Sequence, residues 1–226
     1  MTSGLQETPI PPGMAARLPA WASLRAELLR HLVTHPAGQA LVRAAWNAAS
    51  IWPVTVQRTY RFGPPAELAS AAGFPYHWIY IADDAYTAAW EAQLCQNDVT
   101  RPGTFYIAHR AEQAIIATLS FSVPLRLLDL TGLAASRLGI YDPLRSPNHG
   151  WCQWLGWQLD QIIVQEASAI HGFLYPSRRQ PGKLAYALSS RHMASLGQAM
   201  ACSRLAFGDS PAYARLLADR LRVDPP

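Results

Sequence analysis

The chain has 226 residues, half of them hydrophobic, with 19 basic and 15 acidic side chains and a formal net charge of +4. That length and apolar content fit one globular domain, or one domain with an appendage, with a sizeable core. Lys183 is the only lysine, so nearly all positive charge is arginine; it is scattered without a basic run, which argues against direct nucleic-acid binding. The three cysteines, Cys95, Cys152 and Cys202, lie far apart and form no Cys-x-x-Cys or Cys/His cluster, so neither a disulfide framework nor a zinc site is expected. His31 and His35 form the only histidine pair at i, i+4 and have no third ligand nearby, so no metal site is expected. The first residues lack the charged and apolar regions of a signal peptide, and no apolar run approaches the ~18 residues of a membrane helix. The expectation is a cytoplasmic protein without membrane contact.

In chain order, residues 1–13, with Pro9, Pro11 and Pro12, read as a flexible lead-in. Apolar residues at Leu18, Trp21, Leu24, Leu28 and Leu32 predict a helix from Leu18 to Val33, and Leu41 to Ala49 continues similarly after Pro36 and Gly38. Together these make a helical extension over residues 1–50, followed by a main domain over 51–226. Val54 and Val56 begin an alternating strand through Tyr60, halted by Gly63-Pro64-Pro65. Further strands are predicted at His77 to Ala82, Thr104 to Ala108, Ala114 to Phe121, Leu125 to Leu130, Gly172 to Pro176, Leu184 to Leu188 and Met200 to Phe207. Helices are predicted at Asp84 to Gln96, Trp151 to Ala169 and Pro211 to Leu221. Strands that follow one another without intervening helices favour an α+β fold over a doubly wound parallel sheet.

Three stretches can carry chemistry. In residues 76–93 a strand passes almost directly into an alanine-lined helix. Asp83 or Asp84 can cap that helix, because a carboxylate there accepts from unpaired backbone N–H groups. Ala85, Ala88, Ala89 and Ala92 make a smooth face that lets the helix lie close on a sheet, and Glu91 falls on a neighbouring face. A lone helical glutamate is most often a solvated surface residue, so its neighbours must carry the case. Arg58 and Arg61 have opposite parity on a strand, which turns one inward; an inward arginine needs an anion, either Asp83, Asp84, Glu91 or a ligand. The third stretch, His171 to Arg179, ends a strand in a basic turn. Its Ser177 follows Pro176, lacks a Gly-x-Ser-x-Gly elbow and has no partners spaced for a hydrolase triad, so it suits a ligand hydrogen bond better than nucleophilic attack. Trp154 and Trp157 share a helix with Leu155, Leu159 and Ile162 and read as core packing.

Taken in order, Tyr60-Arg61-Phe62-Gly63-Pro64-Pro65, then Ile79-Tyr80-Ile81-Ala82 with Glu91 on the next helix, then Gly172-Phe173-Leu174-Tyr175-Pro176-Ser177, resemble the RES domain family. That family is named for an arginine, a glutamate and a serine, and supplies the toxin of RES/Xre toxin–antitoxin pairs. The resemblance implies an ADP-ribosyltransferase-like fold, a split and mostly antiparallel sheet flanked by helices, with a cleft for NAD. It implies that NAD is the substrate, cleaved between nicotinamide and ribose, with ADP-ribose passing to water, phosphate or a protein. It also implies an Xre-type antitoxin as partner. By carry-over the family arginine falls on Arg61 or Arg58, the tyrosine on Tyr80, the glutamate on Glu91 and the serine on Ser177. Tyr60 joins the binding set, and Trp151 and Gln153, at the start of a helix, resemble a further segment lining the family cleft. Three roles fit the extension over 1–50: docking the antitoxin, forming a homodimer or covering the cleft. The competing reading is a module of the same fold that binds a nucleotide or protein without turnover.

Overall fold

The computed structural model describes residues 10–166 and 170–226. Most of the expected lead-in lies outside these residues, as does the end of the helix expected to reach Ala169. In chain order the elements are α1 (Pro12–Ala15), α2 (Trp21–Arg30), β1 (Leu32–His35), β2 (Leu41–Ala45), β3 (Trp78–Ala82), α3 (Ala85–Glu91), β4 (Cys95–Asn97) and β5 (Phe105–Ile107). They continue with β6 (Ile115–Phe121), β7 (Leu125–Asp129), α4 (Gly132–Arg137), α5 (His149–Gln165), β8 (Gly172–Pro176), β9 (Leu184–Ser189), α6 (Met193–Gln198), β10 (Met200–Ala206) and α7 (Pro211–Leu217).

Eight strands form one sheet in the order β1-β7-β8-β9-β3-β2-β6-β10, while β4 and β5 pair separately. Among the described strands of this sheet, β7 and β8 run parallel and the other neighbours antiparallel. The fold is therefore α+β with a large, mostly antiparallel sheet. Phe121 of β6 and Leu125 and Leu127 of β7 share one apolar cluster although their strands are far apart in the sheet order, so the sheet curls on itself. Period-two alternation assigns the faces. Trp78 and Tyr80 of β3, Phe173 and Tyr175 of β8, and Ala185 and Ala187 of β9 pack toward α2 and α5. Ile79, Ile81, Leu174, Tyr186 and Leu188 fill the opposite side.

Two expectations fail in the first sixty residues. Leu41–Ala45 is a strand, not a helix, and β1 also belongs to the sheet, so the first fifty residues hold two sheet strands where an all-helical extension was expected. Leu41, Val42, Ala44 and Ala45 are all buried in β2, and the two-sided burial of a central strand masked any period-two signal. The alternating run from Trp52 to Tyr60 is irregular chain instead, and its Val54 is 82% exposed. That segment is tethered by side chains: the Trp52 indole donates to the Met193 carbonyl at 3.4 Å, and His77 Nε2 lies 3.0 Å from the Pro53 carbonyl.

The sheet is weakest between β2 and β3, which share the single pair Val42↔Ala82, whereas β3 and β9 share five. Arg43 spans this split. Its guanidinium donates to the Ser50 carbonyl at 3.0 and 2.8 Å and to the Tyr80 carbonyl at 2.5 Å, so a side chain satisfies a backbone acceptor that a fuller ladder would have used. Burial lowers the Arg43 pKa to about 10.

Candidate functional site

The site is built where β3 enters α3. Asp84 caps that helix by accepting the Thr87 N–H at 2.7 Å, which settles the choice between Asp83 and Asp84. Asp83 instead accepts the Tyr186 hydroxyl. Ala88 and Ala89 are buried as the smooth face predicts. The helix stops at Glu91, five residues short of the expected end, because Gln93 takes a left-handed conformation at φ 60°. Leu94 N–H then bonds the Ala89 carbonyl and Gln93 N–H the Trp90 carbonyl, the paired closure that normally recruits glycine. With glutamine there, the stop had no sequence signal. Glu91 thus ends on the last turn, beside free carbonyls at the negative end of the helix, a place that disfavours a carboxylate.

Donors from β8 and from the residue that follows it offset that cost. Ser177 Oγ donates to Glu91 Oε1 at 2.6 Å and the Tyr175 hydroxyl donates to Oε2 at 3.3 Å. Ser177 Oγ in turn accepts the Gln180 N–H at 3.0 Å, which directs its own proton at the carboxylate. Burial and the Glu91 charge push the Tyr175 phenol well above its ordinary pKa, so it remains a donor at neutral pH. Both oxygens of Glu91 are therefore fixed in direction, and its side chain is half-buried.

Arg61 is delivered by the loop before β3. Phe62, next in sequence, is fully buried, a contribution of about 1.5–3 kcal/mol. Its N–H donates to the Tyr80 hydroxyl oxygen at 3.1 Å, and its carbonyl accepts the Trp78 indole N–H at 2.7 Å. Its ring meets Phe173 and Tyr175 edge-on, with centroids 5.1 and 5.0 Å apart. Helix α5 closes on the same point, for a Cβ at Gly156 would stand 1.9 Å from the Phe62 carbonyl oxygen. The Arg61 guanidinium is held over the Phe62 and Tyr175 rings, 5.0 and 5.9 Å from their centroids. Among the described residues it has no carboxylate within 4.0 Å, and its Nε and one terminal nitrogen are buried without a hydrogen-bond partner. Tyr80 accepts from Phe62 while keeping its proton, since burial raises its pKa strongly.

The structure thus brings Arg61, Tyr80, Glu91 and Ser177 together. Arg58 and Tyr60 lie at the exposed rim, where the Arg58 Nε donates to the Tyr60 hydroxyl at 3.2 Å and the Tyr60 ring stands edge-on to Tyr80. Gln153 supports this rim by donating to the Tyr60 carbonyl at 3.3 Å. Trp151 departs from its expected place at the cleft wall: it is buried in the core, and its indole N–H is spent on the Arg17 carbonyl at 2.9 Å. Its neighbour Cys152 faces the site instead, with burial raising the thiol pKa and Arg61 and Arg178 drawing it down.

Sequence reasoning missed Tyr175, Arg178 and Arg43. Tyr175 shares strand parity with Ser177, a signal that places both on one face. Arg178 is flanked by Arg61 and Arg179; burial first, then their charges, lower its pKa. Arg43 was hidden by the helical reading of β2. Among the described residues no group of three or more His, Cys, Asp or Glu side chains could hold a metal ion, and no helix is long and apolar enough to cross a membrane.

The model of one protein family, described as RES domain, matches residues 42–205. The chain belongs to the RES domain family. This family is associated with toxin–antitoxin systems. The matched range begins within β2 and ends within β10, so it takes in Arg61, Tyr80, Glu91 and Ser177. No curated protein and no solved structure matches the chain significantly.

Proposed function

We propose that this RES-family protein cleaves the bond between nicotinamide and ribose in NAD and passes ADP-ribose to water, phosphate or a protein, in a cleft of ADP-ribosyltransferase type. One observation carries the reading: a carboxylate with both oxygens held by protein donors stands near a guanidinium that meets no carboxylate among the described residues. A half-buried arginine without a counter-ion is costly unless a ligand supplies one. A pyrophosphate matches the planar fork of Arg61. The glycosidic bond breaks through an oxocarbenium-like transition state, and Glu91 stabilises the positive charge that develops on the ribose or activates the acceptor. Tyr80 offers a flat ring and a hydroxyl proton not used by Phe62. Ser177 and Tyr175 act on Glu91, keeping its charge directed.

The reading extends to a cognate Xre-type antitoxin that holds the activity in check in the cytoplasm. The half-buried, hydrogen-bonded state of Glu91 favours turnover over a binding module, for which a solvated Glu91 would serve equally well. The test is incubation of purified protein with NAD, with nicotinamide quantified and ADP-ribose, its 1-phosphate and labelled protein separated as the second product. Nicotinamide release is expected; folded protein that releases none contradicts the proposal.

A further inference from the structure

A groove of about 540 Å³ adjoins the site. Tyr86, whose ring carries the Arg215 guanidinium 4.4 Å from its centroid, lines it with Arg179, Gln180 and the nearly buried Trp90 and Phe105. This volume suits a small organic molecule. Two of its lining residues connect it to the cleft. Trp90 immediately precedes Glu91, and Gln180 is the residue whose N–H holds Ser177.

Charge distinguishes this place from the rest of the molecule. Among the described residues, Arg61, Arg178 and Arg179 form no ion pair although all three are partly buried, and the Arg61 Nε and one of its terminal nitrogens have no hydrogen-bond partner. Elsewhere Arg25, Arg101, Arg137 and Arg191 each meet a carboxylate. The groove's own acids do not serve Arg179: Asp98 is taken by Thr100 and Arg101, and Asp219 accepts the Leu221 N–H. A pyrophosphate brings two negative charges, which Arg61 and Arg178 balance on the cleft side. Arg179 is a third cation, and it lines the groove together with Tyr86.

We propose that this groove is a subsite for a planar nucleoside bearing its own phosphate, so that the preferred ligand is a dinucleotide with a third phosphate on its nucleoside end, of the NADP type. The inference rests on the dinucleotide reading of the cleft. In it the base packs against the Arg215–Tyr86 stack, over the nearly buried Trp90 and Phe105, and the phosphate meets Arg179 through charge-assisted hydrogen bonds.

The test is calorimetric titration of the full chain with adenosine 2′,5′-bisphosphate and with adenosine 5′-monophosphate. The bisphosphate is expected to bind on the order of tenfold more tightly, the worth of one hydrogen bond to a charged group, and Arg179→Ala should remove that difference while leaving monophosphate binding unchanged. Equal affinities in the parent, or a preference that survives in Arg179→Ala, would overturn the proposal. Inorganic phosphate, titrated alone, separates the sources: if it binds as tightly as the bisphosphate and depends on Arg179, the subsite takes a free anion and the nucleoside assignment falls. Nicotinamide release from NADP and NAD keeps the two readings apart. Selective bisphosphate binding without release from either removes only the cleavage reading, whereas release from both at equal kcat/KM with equal titrations removes only this one.

Discussion

Arg61 and Arg191 show what the same side chain does with and without a protein anion. Arg191 donates to both oxygens of the fully buried Asp160, at 3.1 and 2.9 Å, and that pair ties β9's exit to α5. Desolvation raises the Asp160 pKa, and Arg191 opposes it. Arg61 is also partly buried, but it rests on aromatic rings and finds no carboxylate among the described residues. The first arrangement is complete within the chain; the second leaves guanidinium nitrogens without a partner among the described residues. Glu91 completes the contrast, since its hydrogen bonds come from hydroxyls and leave its charge uncancelled by a cation in contact.

The comparison breaks most visibly at Glu91. Glu91→Gln keeps shape and removes the charge, and nicotinamide release should fall on the order of 10²–10³-fold while the melting temperature stays unchanged. A large loss of stability instead would assign Glu91 to the scaffold. Stability sharpens the contrast next. Arg191→Leu leaves Asp160 uncompensated and should cost about 3 kcal/mol in denaturant unfolding, the low end for a broken pair because Arg191 is itself 40% exposed. Arg61→Leu should cost less than about 1 kcal/mol, since no protein ion pair is lost. Gly156→Ala acts on the support of Arg61: its methyl must displace the Phe62 carbonyl, so unfolding free energy should drop by about 1–3 kcal/mol and the KM for NAD should rise. The smallest effect is in acid. Hydrogen bonds from Thr100 and Arg101 hold the Asp98 pKa down at about 2, below its ordinary 3.8. The folded pKa is depressed, so the stabilisation is complete above pH 3.8 and lost as pH falls through about 2. Asp98→Asn should flatten that part of an acid-unfolding curve.

Much of this was legible because local chemistry and tertiary role agreed. Gly172 to Pro176 concentrates aromatic and branched residues and is β8 at the expected bounds. Asp84 and the alanines behind it announced α3 and its close packing. The order of Arg61, Tyr80, Glu91 and Ser177 along the chain was readable, whereas their contacts depend on strand pairing: β3 and β8 both pair with β9, which brings residues more than eighty positions apart within hydrogen-bond reach. Features without a local signature were missed. β2 is buried at four of five positions and so lacks alternation; Gln93 closes α3 without glycine; the loop over 52–60 has a strand's pattern and no strand to pair with. Trp151 and Cys152 sit side by side on α5, and only the direction of that helix decides which of them meets Arg61.

The central claim is that Arg61, which meets no carboxylate among the described residues, holds the ligand. Its most direct test is calorimetric titration of NAD into Glu91→Gln, which removes turnover, beside the double variant Glu91→Gln/Arg61→Ala. NAD binding to the first and a loss of at least about tenfold in the second, with both folded, is the predicted result. Equal affinity in the two proteins would contradict the account.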